Sequence, residues 1–263
     1  MQIKDRRFVV TGAASGIGYA VVLELLRRGA YVAAVDVKEI SLDAISDKSL
    51  LARATLHLCD VSSHAQVHIC AVEILKIHGN IDGLFNIAGI AQPFVDFKDM
   101  DSQHMSRVMG VNYCGTLYMI EAFLPTLLTR PCAHILNVSS TGGLVPVPGQ
   151  AIYGASKAAI ALLTECLNVE LKETNVNVTL AIPGSIDTAI MTFSEETNER
   201  TRKVLAQRQK IKMVSAQACA KIMCDAMVQQ KSRILIGKDA YLIDVLLRLM
   251  PKITRAMMAN MLK

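Results

Sequence analysis

Tyr153-Gly154-Ala155-Ser156-Lys157 sets a phenol and an ammonium four residues apart, and on a helix those two side chains share one face. Free tyrosine loses its proton near pH 10, too high for proton transfer at neutrality. A neighbouring cation favours phenolate and draws the group toward the range where an acid/base works well. Ser140, shortly upstream, supplies a hydroxyl able to steady a substrate oxygen beside the phenol. An ordinary surface helix carries Tyr and Lys at this spacing too. The weight of the pair therefore depends on what the rest of the chain builds around it.

Two periodicities alternate along the chain and describe the scaffold. Short apolar, β-branched runs recur at Phe8–Val10, Tyr31–Val35, Leu56–Leu58, Gly83–Phe85, His134–Val138 and Val176–Leu180. Between them lie longer segments with helical spacing, such as Val21, Leu25 and Arg28, or Leu162, Cys166, Val169 and Glu170. Strands separated by helix-length crossovers predict an α/β fold, a doubly wound parallel sheet covered on both faces. Gly29 stands where the first helix should end, a natural left-handed cap. With no low-complexity linker and no internal repeat, residues 1–263 read as one domain. Its expected parts are a core over 1–190, a flap over 191–214 and a helical tail over 238–263.

Ligands of open parallel sheets gather at the carboxyl ends of the strands, so the loops after each run are the places to search. The first run leads into Thr11-Gly12-Ala13-Ala14-Ser15-Gly16-Ile17-Gly18 and then a helix. Small residues let the backbone turn tightly, and the helix start offers free N–H groups and a positive dipole end to a pyrophosphate. A plain packing turn, or the loop of a methyltransferase, has a similar composition. The second run ends at Asp36, about twenty residues on, where a carboxylate accepts from ribose hydroxyls and repels a 2′-phosphate. Neither position 15 nor position 37 is Arg or Lys, although Lys38 is near, so the loop favours NAD over NADP. The later runs end in Cys59-Asp60-Val61, Asn86-Ile87-Ala88-Gly89, Asn137-Val138-Ser139-Ser140 and Ala181-Ile182-Pro183-Gly184-Ser185-Ile186-Asp187-Thr188. Each is turn chemistry by itself; the agreement across successive loops is the signal.

Over roughly the first 190 residues the chain resembles the short-chain dehydrogenase/reductase superfamily, which has a Rossmann-type sheet. The resemblance rests on T-G-x-x-x-G-I-G at Thr11–Gly18, Asp60-Val61, N-x-A-G at Asn86–Gly89, Asn112, Ser140, Y-x-x-x-K at Tyr153 and Lys157, and P-G-x-x-x-T at Pro183–Thr188. It implies hydride transfer between a nicotinamide and a carbonyl or alcohol carbon. Tyr153 would donate the proton in reduction and remove it in oxidation, and Lys157 would lower its pKa and hold the nicotinamide ribose. Ser140 would bond the reacting oxygen, and Asn112 would hold a water linking Lys157 to solvent. Gly12, Ser15, Gly16, Ile17, Gly18, Asp36, Asp60, Val61, Asn86, Ala88, Gly89, Pro183 and Gly184 would line the dinucleotide, with Ile186 and Thr188 orienting its carboxamide. Bringing the phenol near neutrality needs a shift of about two to three units, or roughly 3–4 kcal/mol. The ammonium and an oxidised nicotinamide could supply that together. The resemblance also implies pairing through helices around 101–129 and 153–172, in a homodimer or homotetramer. A non-catalytic dinucleotide-binding regulator of the same fold is the alternative; such proteins usually lose part of the Asn-Ser-Tyr-Lys set, which is whole here.

Composition excludes other classes. With 52% hydrophobic residues there is material for a core, yet no apolar run is long enough to cross a bilayer. The polar start lacks the pattern of a secretory signal. Seven scattered cysteines without C-x-x-C read as reduced, mostly buried thiols in a cytoplasmic protein. A net charge of +5 without a basic-aromatic stripe disfavours nucleic acid. His64-Ala65-Gln66-Val67-His68 lacks the glutamate of H-E-x-x-H and any evident third ligand, so no metal is expected. No G-x-S-x-G supports a serine hydrolase.

The pattern weakens past Thr188. Ser194–Lys212 is charged and helix-competent, and Leu144, Val145, Val147, Ile190, Met191 and Phe193 would line an apolar pocket. Such a pocket suits a hydrophobic ketone or secondary alcohol of steroid, retinoid or fatty type. After Arg233–Gly237, residues 241–263 read as a helix interrupted at Pro251, where relatives often end in a Gly-rich tail. The tail could pack on its own or a partner subunit, cover the pocket, or lie on a membrane surface as a basic amphipathic segment.

Overall fold

The computed structural model describes residues 1–43, 45–188, 201–202, 206 and 213–260. Its strands are β1 (Arg7–Thr11), β2 (Tyr31–Asp36), β3 (Ala54–Leu58), β4 (Gly83–Asn86), β5 (Ala133–Val138), β6 (Val176–Pro183), β7 (Ile186–Asp187), β8 (Val214–Ser215) and β9 (Arg233–Ile236). Seven of them form one sheet in the order β3-β2-β1-β4-β5-β6-β9, parallel throughout, and β7 pairs with β8. The helices are α1 (Gly16–Arg27), α2 (Lys48–Leu51), α3 (His64–His78), α4 (Ser102–Met109), α5 (Gly115–Leu128), α6 (Ala151–Glu170), α7 (Ala216–Val228), α8 (Lys238–Leu249) and α9 (Pro251–Asn260). Every apolar run identified in the sequence lies within a strand, and Pro251 opens the second of two tail helices.

Alternating side chains explain why the central strands are apolar at every position. Phe8 and Val10 point into one core, with Val21, Leu25, Met223 and Met227 of α1 and α7. Val9 points into the other, with Ile74, Phe123 and Leu167 of α3, α5 and α6. A strand buried on both faces has no solvent side to mark with polar residues. Gly29 follows the end of α1 with φ 80°, the left-handed conformation that ends helices cheaply only in glycine.

Chain reversal between β1 and β4 makes the crevice. From β1 the chain winds outward through β2 and β3, then returns to place β4 on the other side of β1. The helices that follow them, α1 and α5, consequently pack on opposite faces of the sheet, and the crevice opens beyond the strand ends where the two connections part.

Candidate active site

The glycine loop and the loop after β4 are built to touch. Gly12 has φ 71°, and a Cβ on it would stand 2.9 Å from the Ala88 Cα. Thr11 Oγ1 accepts from the backbone N–H groups of Ile87 and Ala88, each at 3.0 Å. A Cβ on Gly18 would collide with the Gly12 carbonyl, so α1 can start this close to the strand only with glycine there. Ser15 is exposed at the N-cap of α1, and its hydroxyl makes no bond to its own helix. A Cβ on Gly16 would meet Thr188 Cγ2 at 3.4 Å, which brings the end of the β6–β7 segment against the same loop. Free amides at a helix start, an unspent hydroxyl and glycine in place of side chains fit a pyrophosphate lying across them.

The remaining loop residues divide by what they already bind. The Asp36 carboxylate accepts from Ala14 N and Lys38 N, both at 2.9 Å, and so ties the end of β2 to the glycine loop. Asp60 Oδ1 accepts from the amide and hydroxyl of Ser62, while buried Val61 packs on Gly115 at the start of α5. Asn86 turns its amide into the sheet, donating to Asn137 Oδ1 at 2.8 Å. Pro183 ends β6 and Ile186, nearly fully buried, lies in β7. Gly184 lies against the Asp239 carboxylate, which also accepts from Ser185 N at 2.6 Å.

Tyr153 and Lys157 lie one turn apart on α6, and Lys157 Nζ is 6.0 Å from the centroid of the Tyr153 ring. The ammonium donates to the Val138 carbonyl at 3.0 Å. It is buried, and loss of water lowers its pKa from the usual 10.5 to about 8. At neutral pH it therefore stays mostly cationic. Ser140 begins the turn Thr141–Gly143, its Oγ accepting from Gly142 N at 3.1 Å. A Cβ on Gly142 would be 3.4 Å from Tyr153 Cε1 and 3.6 Å from Ser140 Oγ, so hydroxyl and ring edge border the same space. One on Gly89 would be 3.2 Å from Lys157 Nζ and 3.3 Å from Asn112 Oδ1. All four residues of the expected set thus surround the loop after β4 and the turn after β5.

Asn112 sits in a π-helical turn, Gly110–Cys114, between α4 and α5. Its side chain does more holding than the sequence suggested. Nδ2 donates to Ile90 O and Ser156 Oγ, each at 3.0 Å, and Oδ1 accepts from Ile90 N at 2.8 Å. Only a second lone pair on Oδ1 remains for a water.

Sequence reasoning missed Gln92. It is fully buried, its Nε2 donates to Gly149 O at 2.8 Å, and its Oε1 accepts from Tyr153 N at 2.9 Å. Gln150 Nε2 returns a bond to the Gln92 carbonyl at 2.7 Å. The first turn of α6 leaves amides without helical partners, and Gln92 supplies one from a distant loop. A lone glutamine in a loop carries no spacing signal. Ser139, the residue before Ser140 in the chain, is buried with its hydroxyl on the Lys157 carbonyl at 2.7 Å. Ser139 thus braces α6, while the Ser140 hydroxyl is held within its own turn.

Of the expected apolar lining, Val145 is buried and Leu144 and Val147 are half-buried. Ile190, Met191, Phe193 and most of the flap lie outside the described residues. Thr201 is described; it is buried, and its Oγ1 accepts from Phe94 N at 3.0 Å. His64 and His68 stand exposed on α3, with His64 Nε2 3.1 Å from Glu121, and no group of metal-ligating side chains occurs among the described residues.

The sequence profile described as short chain dehydrogenase matches residues 6–200. The 3-ketodihydrosphingosine reductase of Bos taurus is 30% identical over 259 residues, 95% of this chain and 76% of that protein. A short-chain dehydrogenase/reductase from Burkholderia phymatum, solved in complex with NAD, superposes with a TM-score of 0.84 at 27% identity, covering 97% of both chains. One from Burkholderia cenocepacia, solved with NADP, superposes at 0.79 with 29% identity over 98% of this chain and 99% of that one.

Proposed function

Because this chain belongs to the short-chain dehydrogenase family, an NAD(P)-binding oxidoreductase family, we propose that it interconverts a carbonyl and a secondary alcohol on a hydrophobic substrate. The observation that carries the reading is the convergence of Ser140, Tyr153, Lys157 and Asn112 on the crevice between β1 and β4. In the crevice, Gly12, Ser15, Gly16, Ile17 and Gly18 would hold the pyrophosphate. Asp36 would hold the adenosine ribose, with Asp60 and Val61 beside the adenine. Ala88 and Gly89 leave room for the sugar nearer the reacting end, and Pro183, Gly184, Ile186 and Thr188 close that end. When bound there, the nicotinamide supplies or accepts the hydride.

The side chains of the protein handle the proton. In reduction Tyr153 gives its hydroxyl proton to the carbonyl oxygen, and in oxidation it takes the proton from the alcohol. Ser140 donates a hydrogen bond to the same oxygen and orients it toward the phenol. Lys157, still cationic at neutral pH, favours the phenolate that each reduction leaves. Asn112 keeps the loop after β4 against Lys157, so the ammonium and the phenol keep their spacing from one turnover to the next.

NAD is the proposed cofactor. Asp36 presents a carboxylate at the ribose end, where a 2′-phosphate would be repelled. The half-buried Leu144 and Val147 support an apolar substrate, as does likeness to a reductase whose name specifies a long-chain ketone. Leu162 and Val169 on α6 are exposed apolar residues and support pairing of subunits through that helix. The test is a panel of steroid, retinoid and long-chain fatty ketones and small hydroxy acids, followed through NADH and NADPH absorbance. Turnover of long-chain ketones with NADH at a kcat/KM well above that with NADPH is expected. Preference for small charged hydroxy acids would overturn the substrate class, and no turnover with either cofactor would leave a dinucleotide-binding regulator.

A further inference from the structure

We propose that the successive helices α8 and α9 dock the protein on an anionic lipid surface. The outward face of α8 carries Tyr241, Leu242, Val245 and Leu249, and α9 with the link before it adds Met250, Ile253 and Met257. All seven are between 41% and 73% exposed; the four on α8 align into one strip and Ile253 and Met257 into another on α9, because positions three and four apart share a helix face. Ala240 and Asp244 on the other side of α8 are buried, as is Thr254 on α9, and α8 packs on β9 and on the Thr141–Gly143 turn after Ser140.

Charge on these two helices selects the partner. Their two carboxylates both face inward. Asp244 binds Arg233 at 2.6 Å and Arg248 at 3.0 Å, and Asp239 accepts from Ser185 N. Lys238, Lys252 and Arg255 are exposed on the same two helices, with no exposed carboxylate among the described residues of either. A second copy meeting this face across a twofold axis would set these cations against their own copies. An anionic bilayer accepts both features: the apolar side chains enter the headgroup boundary while lysine and arginine stay among the phosphates. The buried side of the docked helix lies against the turn after Ser140.

Co-sedimentation of the full chain with phosphatidylcholine vesicles, with and without phosphatidylserine, tests the proposal without cofactor or substrate, so it is independent of the catalytic reading. Binding to the anionic vesicles and little to the neutral ones is expected. The exposed double variant Lys252→Gln/Arg255→Gln should lower the partition coefficient about tenfold or more, and added salt should act in the same direction. Leu242→Gln/Leu249→Gln/Ile253→Gln should abolish binding with the particle mass in light scattering unchanged. Absence of binding to anionic vesicles, or binding indifferent to phosphatidylserine and to the charge variant, would overturn the proposal. So would a fall in particle mass for the apolar variant, which would make this face a subunit interface.

Discussion

The two ends of β4 treat buried charge in opposite ways. At its amino end Asp82 is fully buried and saturated: its carboxylate accepts from Arg6 at 3.2 Å, from Arg130 at 2.9 Å and from the Arg7 amide at 2.9 Å. At its carboxyl end the nearby buried charge is Lys157, one turn from Tyr153, with the Val138 carbonyl as its hydrogen-bond acceptor and a pKa lowered to about 8 by burial. A charge with all its partners in place is a rivet. One short of partners has bonding capacity left for something that arrives later. The same strand thus begins at a saturated ion cluster and ends beside the proposed chemistry, the end where parallel sheets hold their ligands.

Paired substitutions at the two ends should separate these roles most widely. Tyr153→Phe removes the hydroxyl at the reacting end and should lower kcat by roughly 10²–10⁴-fold, the usual worth of a positioned acid/base. Its melting temperature and its NADH affinity by titration calorimetry should stay near those of the parent. Asp82→Ala should do the reverse. Removing one partner from a buried ion cluster costs about 3–5 kcal/mol, here toward the low end because Arg6 and Arg130 can turn to water. Activity per folded molecule, measured well below the melting temperature, should persist. Full activity in Tyr153→Phe, or lost turnover in well-folded Asp82→Ala, would break the comparison.

A second expectation sharpens it through pH. The unfolded chain, its lysine near 10.5, binds more protons than the folded chain between about pH 8 and 10.5. Stability of the cofactor-free protein should therefore rise across that window, by an amount on the order of 3 kcal/mol from Lys157 alone. Below about pH 8 the lysine is charged in both states and its contribution is flat. Denaturant midpoints of the parent and Lys157→Met should shift in the parent's favour from pH 8 to 10.5. A difference independent of pH would mean that the ammonium is better solvated than its burial implies.

What could be read from the sequence follows from how each feature is encoded. The sheet was legible because its strands are apolar at consecutive positions and bounded by turn residues, and because a doubly buried strand tolerates little else. The glycine loop was legible because close backbone approach removes side chains: Gly12 against Ala88 and Gly18 against Gly12 leave no room for a Cβ. Tyr153 and Lys157 were legible because one helix fixes their spacing. Contacts joining residues far apart in the chain leave no such mark. Asn137 supports Asn86 and in turn donates to Thr164, while Asn112 braces both Ile90 and Ser156. Nothing in the composition of those loops says which amide will meet which. The exposure of Leu162 and Val169 was equally hidden, since helical spacing predicts a stripe without saying whether a core or solvent meets it.

Gln92 gives the smallest predicted effect and the most direct test of how the reacting end is held. Gln92→Met keeps the length of the side chain but removes the acceptor of the Tyr153 amide and one of the two donors to the Gly149 carbonyl, which keeps Val95 N. Leaving one such group unpaired costs about 1–3 kcal/mol, so the melting temperature should fall. A purely structural role predicts nothing more. A positioning role predicts a further change, because the lost bond is to the backbone of the residue proposed to move the proton. In that case kcat should fall severalfold while KM for the dinucleotide, whose proposed contacts lie mainly in the glycine loop, barely changes. A variant with lower stability and unaltered kcat would make Gln92 a brace for the loop after β4 and nothing else. The contrast between the ends of β4 would then rest on Lys157 and Tyr153 alone.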